Sequence, residues 1–202
     1  MIDLPNILTL SRIIVIPMLV LLVVLRTPVT DLLSCLLFIA AGITDYLDGK
    51  LARAWQQLSD LGRMLDPIAD KLLVGVCLMV MAGLDRLPYG SLYPAIVILS
   101  REILVSGLRE FLAATRVSLP VTKLAKWKTG VQMTAIGFLL AGDDSAQMLS
   151  IGWLPVSIIG ALLLWLAAFL TIITGWDYVN TSIRHVNKSQ PDIKKDVSKA
   201  IF

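Results

Sequence analysis

The chain has little cysteine, histidine or charge. Its 202 residues include two cysteines and one histidine, and only 16% are charged. Cys35 and Cys77 both lie in apolar runs without metal-ligand spacing, so neither a disulfide nor a thiolate metal site is indicated. His185 lies in a basic C-terminal segment and is interpreted as part of a solvated end. The chemistry of this chain is therefore expected to depend on other residue types.

Three further features are missing. The net charge of +3 is small, and the basic residues form no stripe with interleaved aromatics, which argues against nucleic-acid binding. Residues 1–25 lack the basic start and small-residue cleavage site of a secretory signal, so we expect them to remain as a first membrane span. With no repeat, low-complexity tract or Gly/Ser linker, residues 1–202 are expected to form a single domain.

What the chain has in abundance is apolar sequence, at 56% of its residues. A membrane-spanning helix needs about 20 such residues, and six candidate segments are separated by polar or Pro/Gly breaks. We therefore predict an all-α integral membrane protein with six transmembrane helices. They fall roughly at residues 8–25, 32–54, 64–84, 92–114, 127–141 and 154–177.

The distribution of Lys and Arg predicts the orientation. If the N-terminus is cytoplasmic, fourteen basic residues fall in inner segments, whereas only Arg26 and Arg86 fall in outer loops. The acidic pair Asp143 and Asp144 is then expected in an outer turn. The prediction is a multi-pass protein of the plasma (inner) membrane with both termini cytoplasmic.

Four aspartates stand out between residues 45 and 70. Asp45 and Asp48 are three apart, and Asp66 and Asp70 are four apart, so each pair projects from one face of a helix. Carboxylates crowded into a poorly hydrated site need a positive charge to stay ionised, and oxygen ligands suit magnesium, manganese or calcium. We expect a site for more than one divalent ion. Asp45 lies roughly 20 Å from the outer end of its span, in the cytoplasmic part of the membrane.

Small residues accompany these aspartates. Gly49, Ala52 and Gly62 leave room for another backbone or a bulky ligand such as a nucleotide. The alternative is that the carboxylates are solvated helix ends paired with Arg53 and other surface cations.

The whole pattern is Asp-x2-Asp-Gly-x2-Ala-Arg-x8-Gly-x3-Asp-x3-Asp, and it resembles the signature of the CDP-alcohol phosphotransferases. The resemblance implies a six-helix membrane enzyme that joins a CDP-activated donor to an alcohol, releases CMP, and commonly forms a homodimer. It also implies a polar cavity opening to the cytoplasm, with two Mg or Mn ions. By the same resemblance, the metal ligands are Asp45, Asp48, Asp66 and Asp70, and Asp70 is also the proton acceptor. The implied nucleotide-binding residues are Gly49, Ala52, Arg53 and Gly62.

Other segments resemble the branch of this family that uses glycerol 3-phosphate. They are residues 4–12, taken as a short N-terminal interfacial helix, residues 101–109, and residues 126–132. The resemblance implies CDP-diacylglycerol as donor and phosphatidylglycerophosphate as product. Residues expected to bind the acceptor phosphate are Arg109, Lys126 and Lys128, with Arg101 deeper.

Alternatives remain at each of these positions. The basic residues could face anionic lipid headgroups, and Arg101 and Glu102 could simply pair with each other or a neighbouring helix. The acceptor could be serine, inositol phosphate or phosphatidylglycerol. Acidic residues within a membrane could also line the pathway of a divalent-cation transporter.

The aspartate hypothesis gives the first testable prediction. Replacing Asp48 with Ala should abolish turnover and weaken metal binding, because a ligand shared between cations is lost. Turnover titrated against magnesium measures this effect. Near wild-type activity of the variant at limiting magnesium would contradict the assignment.

Overall fold

The described part of the chain is helical throughout. The computed structural model describes the backbone of residues 4–55, 60–114 and 123–200, and side chains within residues 13–44, 68–69, 71–110, 112, 124–176 and 178–180. These residues contain six helices and no strand, in agreement with the predicted all-α class. The helices are α1 (Leu4–Leu25), α2 (Pro28–Trp55), α3 (Asp60–Gly83), α4 (Leu92–Ala114), α5 (Lys123–Met148) and α6 (Val156–Ala200).

The N-terminal part of the chain corrects one expectation. Residues 4–12, expected to form a separate short interfacial helix, are the first turns of α1 itself, which continues to Leu25. Residues 6–16 contain no glycine or proline, so no helix-breaking residue separates the first turns from the rest of α1. Pro17 is accommodated inside α1.

A break lies near the end of α5. Gly142 has non-helical backbone angles, so the turn expected at Asp143 and Asp144 is a kink at Gly142, followed by a short helical segment that carries both aspartates and ends at Met148. Gly142 has φ 68°, a left-handed conformation that glycine adopts without a steric penalty. The kink allows Asp143 to act as a cap, and its Oδ1 accepts a hydrogen bond of 2.9 Å from the backbone N–H of Ser157 at the start of α6.

One apolar core joins all six helices. Each helix contributes a side chain that is at most 1% exposed, and these are Leu19, Phe38, Cys77, Ile98, Ile136 and Leu164. The main packing partners are α5 with α6, α2 with α5, α4 with α6, and α1 with both α2 and α3. The core therefore fixes the helices as one bundle.

The outside of the bundle is also apolar. On α6, Leu162, Phe169 and Trp176 are 62–67% exposed, and large exposed apolar side chains occur on each of the other helices. Continuous apolar surface of this kind marks contact with another apolar phase. Among the residues that the structure describes, Val156–Asn180 is long and apolar enough to cross a membrane by composition, while Ile13–Leu25, Pro28–Thr44 and Lys71–Gly83 are apolar but shorter.

A buried ion pair closes the end of the bundle opposite the aspartate-bearing ends of α2 and α3. Arg86 Nη1 lies 2.6 Å from Asp31 Oδ1 at the start of α2. Its Nη2 donates to the carbonyl of Leu140, 3.2 Å away, just before the kink in α5. Arg86 therefore ties the connection after α3 to both α2 and α5. We call Asp31 and Arg86 the outer ion pair.

Nearby backbone contacts strengthen this end. Arg26 donates to the carbonyl of Leu84, and Ser145 Oγ donates to the carbonyl of Pro28 at 2.9 Å. The bond to Leu84 satisfies a carbonyl group just past the end of α3, which has no partner within the helix. Four chain segments are thus held together at one end of the molecule.

Removing one member of the outer ion pair should destabilise the protein. In Arg86→Ala, Asp31 remains 6% exposed without its cation, so we expect a loss of about 3 kcal/mol in the free energy of unfolding. Denaturation in detergent measures it, with the exposed Asp144→Asn as the matched control. Equal stability of the two variants would show that the pair does not hold this end.

Candidate functional site

Three cations from two helices lie close together, one buried, one half-buried and one exposed. Arg101 and Arg109 come from α4, and Lys128 comes from α5. We call these three residues the cation cluster. Glu102 Oε1 pairs with Lys128 Nζ and lies 3.3 Å from Arg101 Nη1. One carboxylate thus joins two of the three cations.

The spacing along α4 explains why the two arginines share a face. Arg101, Val105 and Arg109 follow one another at intervals of four residues, which places them in one row along the helix. Val105 is 4% exposed, so this row faces the interior of the bundle. Arg109 itself is partly exposed at the end of the row. The sequence pattern therefore directs both guanidinium groups towards the neighbouring helix α6.

The two lysines at the start of α5 differ in their surroundings. Lys128 is 4% exposed and Gln132, one turn later, is 3% exposed. Lys126 is exposed, because two residues correspond to about 200° of rotation around a helix. The structure thus brings Arg101, Arg109 and Lys128 together but leaves Lys126 on the surface.

Helix α6 completes the cluster with residues that the sequence reasoning missed. Arg101 Nη2 donates to Thr174 Oγ1 at 3.0 Å, and Arg109 Nη2 donates to the hydroxyl of Tyr178 at 3.1 Å. Thr171, Thr174 and Tyr178 are spaced as one polar row in an apolar helix, a signal visible in the sequence. Gly175 permits the close approach, because a Cβ there would lie 3.2 Å from Arg101 Cγ.

The charges of the cluster do not cancel among the described side chains. Its three cations exceed the one negative charge of Glu102 by two, whereas the outer ion pair is neutral. Arg101 Nε has no hydrogen-bond partner among the described residues, and neither do Gln132 Oε1, one turn after Lys128, or Thr171 Oγ1, one turn before Thr174. Buried groups normally have their hydrogen bonds satisfied. The excess of positive charge and the unpaired N–H donor at Arg101 Nε suit an anionic ligand.

A hydrogen bond connects this cluster with the aspartate helix. Lys71 Nζ lies 2.5 Å from Ser106 Oγ, between α3 and α4. Lys71 directly follows Asp70, and Ser106 lies one helical turn before Arg109. The contact therefore holds the Asp70 segment of α3 beside the Arg109 segment of α4. Neither Lys71 nor Ser106 had been given a role from the sequence.

The predicted metal and nucleotide residues lie on helices whose backbone is described. Asp45, Asp48, Gly49, Ala52 and Arg53 are in the last turns of α2, and Gly62, Asp66 and Asp70 are in the first turns of α3. Their side chains lie outside the described set, as does the expected polar cavity between them. Among the side chains that are described, no group of three or more His, Cys, Asp or Glu residues could hold a metal.

The donor set of the four aspartates nevertheless fits divalent metal ions. Helical backbone at both pairs keeps the spacing of three and four residues that puts each pair on one face. Carboxylate oxygens are the ligands that magnesium and manganese prefer. The metal assignment thus remains a prediction with a suitable donor set.

An apolar groove runs between α2 and α5. It has a volume of about 540 Å³ and is lined mainly by apolar side chains, among them Phe38, Ile43, Met133 and Phe138. Gly42, also in its lining, precedes Asp45 by three residues on α2. The groove therefore comes within one helical turn of the first aspartate.

Comparisons with known proteins identify the family of this sequence. The family model of CDP-alcohol phosphatidyltransferases matches residues 2–173. A protein of Rickettsia typhi named CDP-diacylglycerol–glycerol-3-phosphate 3-phosphatidyltransferase is 46% identical over 176 residues, covering 87% of this chain and 94% of its own. Proteins of the same name from Cereibacter sphaeroides and Bacillus subtilis are 39% and 35% identical, over 91% and 88% of this chain and 97% and 94% of their own.

The different surroundings of Lys126 and Lys128 give a stability prediction. Lys128→Met removes the cation that pairs with Glu102 inside the bundle, so we expect a loss of about 3 kcal/mol in the free energy of unfolding. Lys126→Met changes an exposed position of the same helix and should alter it by less than about 0.5 kcal/mol. Unfolding of both variants in the same detergent measures the difference. Similar losses in the two would contradict the described rotation of α5.

Proposed function

The chain belongs to the CDP-alcohol phosphatidyltransferase family, and we propose that it transfers the phosphatidyl group of CDP-diacylglycerol to glycerol 3-phosphate. The products are phosphatidylglycerophosphate and CMP. The relatives from Rickettsia typhi, Cereibacter sphaeroides and Bacillus subtilis have names that state this pair of substrates. The transferase class follows from the family, and the choice of acceptor is the proposal.

The observation that carries the proposal is the hydrogen bond between Lys71 and Ser106. It brings the segment of Asp70 and the segment of Arg109 to the same end of the bundle. Transfer between two phosphate-containing substrates needs this juxtaposition, because the acceptor hydroxyl must reach the donor phosphorus in line with the leaving group. The contact supports a donor half on α2 and α3 and an acceptor half on α4, α5 and α6.

The donor half combines a charged end with an apolar path. We assign Asp45, Asp48, Asp66 and Asp70 as the residues that would hold two Mg or Mn ions, which would supply charge neutralisation at the diphosphate. Gly49, Ala52, Arg53 and Gly62 would accommodate the cytidine and its phosphate. The groove between α2 and α5 suits an acyl chain of the donor, since it approaches Asp45 along α2.

The acceptor half supplies positive charge in a largely apolar environment. Glycerol 3-phosphate carries a phosphate dianion, and the cation cluster with Glu102 carries two positive charges. Arg109 is the partly exposed member and is positioned to grip phosphate oxygens in two places. Arg101 and Lys128 would add to the field from deeper positions. Exposed Lys126 would act through longer-range attraction or bind lipid headgroups.

The proposed reaction is a single displacement. A hydroxyl oxygen of glycerol 3-phosphate forms a bond to the phosphatidyl phosphorus, the bond from this phosphorus to the CMP oxygen breaks, and CMP leaves with the bonding electrons. The hydroxyl proton passes to the carboxylate of Asp70. The cation cluster holds the acceptor during this step, and the apolar walls limit access of water, which would otherwise compete as an acceptor.

The membrane arrangement is part of the proposal. We infer six crossings of the inner membrane, with both termini and the reacting groups on the cytoplasmic side and a homodimer as the working assembly. The exposed apolar side chains support contact with lipid, and the excess of Lys and Arg in the inner segments supports the orientation. A pathway for divalent cations is less favoured, because the four aspartates are clustered at one end of α2 and α3, as in a binding site, rather than spread along a path across the membrane.

An acceptor screen tests the proposal. Purified protein with CDP-diacylglycerol and magnesium should release CMP faster with glycerol 3-phosphate than with serine, inositol phosphate or phosphatidylglycerol. In Arg109→Ala, the apparent KM for glycerol 3-phosphate should rise about tenfold, because one charged hydrogen bond is lost, while the KM for CDP-diacylglycerol should change little.

Lys126→Ala is the matched control for this variant, since its charge is exposed on α5. It should raise the acceptor KM less than Arg109→Ala does. Faster CMP release with serine or inositol phosphate would contradict the acceptor assignment. A rise confined to the donor KM of Arg109→Ala would move Arg109 to the other half of the site.

A further inference from the structure

We propose that Tyr178 is a positioning residue that holds the guanidinium groups of Arg101 and Arg109 so that both act on one acceptor phosphate. The inference rests on the proposed function, which it deepens by adding a residue from α6. Tyr178 lies beyond residues 2–173, the part matched by the family model. It is also outside the motif residues that the sequence singled out. Its role is therefore argued from contacts alone.

One aromatic ring serves both arginines. The guanidinium carbon of Arg101 lies 5.6 Å from the centroid of the Tyr178 ring, and that of Arg109 lies 5.5 Å from it. The electron-rich face of an aromatic ring attracts cations at such distances. Tyr178 is 6% exposed, so water weakens these attractions little. The ring thus offsets part of the repulsion between two like charges.

The hydroxyl group adds direction to this attraction. Arg109 Nη2 donates to it at 3.1 Å, while Arg101 Nη2 donates to Thr174, one turn earlier on α6. A partly exposed arginine would otherwise sample many rotamers, and ordering it on ligand binding costs entropy. The hydroxyl holds Arg109 before the acceptor arrives, which is preorganisation of the phosphate site.

The position of α6 makes this arrangement specific. Gly175 lets the helix backbone approach the stem of Arg101, where a Cβ would lie 3.5 Å from Nε. Glu102 holds the opposite side of Arg101 through Nη1. Arg101 is therefore fixed between Glu102 and α6, and Tyr178 extends the same support to Arg109. The two arginines become one site because of the tyrosine.

Two substitutions separate the hydroxyl from the ring. Tyr178→Phe keeps the ring and removes the hydrogen bond to Arg109, so the apparent KM for glycerol 3-phosphate should rise about fivefold. Tyr178→Leu removes both and should raise it by about twentyfold or more. The KM for CDP-diacylglycerol and kcat should stay within about twofold. Phe169→Leu, at an exposed aromatic position of the same helix, should change none of these constants.

The pattern of constants distinguishes positioning from general support of the fold. An unchanged acceptor KM in Tyr178→Phe, or a parallel change of both KM values and kcat, would overturn the inference. If Tyr178→Leu does not fold, Tyr178→Phe alone decides, because it preserves the shape of the side chain. A wild-type protein that prefers an acceptor without phosphate would overturn the proposed function itself. The acceptor screen on the wild-type protein shows this before any variant is made.

Discussion

The arrangement of α4, α5 and α6 depends on the ion pairs that Glu102 forms. An isolated charge in an apolar bundle is costly, and it is tolerated where opposite charges and hydrogen bonds accompany it. Glu102 pairs with Lys128 and Arg101, and Arg101 in turn bonds to Thr174. These ion pairs and this hydrogen bond therefore fix the rotation of the three helices relative to one another. Apolar packing alone would specify this rotation less strictly, because similar side chains can replace one another in a core.

The two polar ends of the bundle differ in the charge of their described side chains, and this difference supports the proposed position of the acceptor phosphate. At one end, Asp31 and Arg86 balance each other and are supported by the carbonyl of Leu140. At the other, the cation cluster exceeds Glu102 by two charges, beside the helix ends that carry the four aspartates. The charges of Asp31 and Arg86 balance without a ligand, whereas a phosphate would neutralise the remaining charge of the cation cluster. The apolar core of the six helices connects the two ends. The outer ion pair therefore helps to stabilise the bundle that holds the cation cluster.

Much of the helical organisation could be predicted from the sequence, because long apolar runs separated by polar breaks indicate both the number and the approximate bounds of helices. The predicted segment 92–114 has the same bounds as α4. The predicted segment 127–141 ends at the break before Gly142, but the short helical continuation to Met148 was missed, since a glycine near a helix end does not reveal whether the chain stops or bends. The separate helix expected at residues 4–12 was wrong for a related reason, because a resemblance in sequence does not supply a break in the helix.

In the site, too, features within one helix could be predicted, whereas contacts between residues distant in the sequence could not. Arg109, Lys126 and Lys128 could be grouped by their depth in the predicted spans, with Arg101 deeper. Their partners could not, because Arg101 and Thr174 are 73 residues apart and Arg86 and Asp31 are 55 apart. Such contacts depend on the rotation and packing of whole helices. Lys126 illustrates a local signal that was available, since its position two residues before Lys128 already places it on another face of α5.

The central claim is that a metal-binding donor half and a cationic acceptor half lie side by side at one end of the bundle. The most direct test is the paramagnetic relaxation of the ³¹P nucleus of glycerol 3-phosphate by Mn²⁺ bound to the purified protein in the presence of CMP. The account predicts strong relaxation in the wild-type protein, which is lost in Asp48→Ala because the metal site is impaired and in Arg109→Ala because the acceptor is no longer held. Relaxation in the wild-type protein no greater than that caused by free Mn²⁺ would contradict the account.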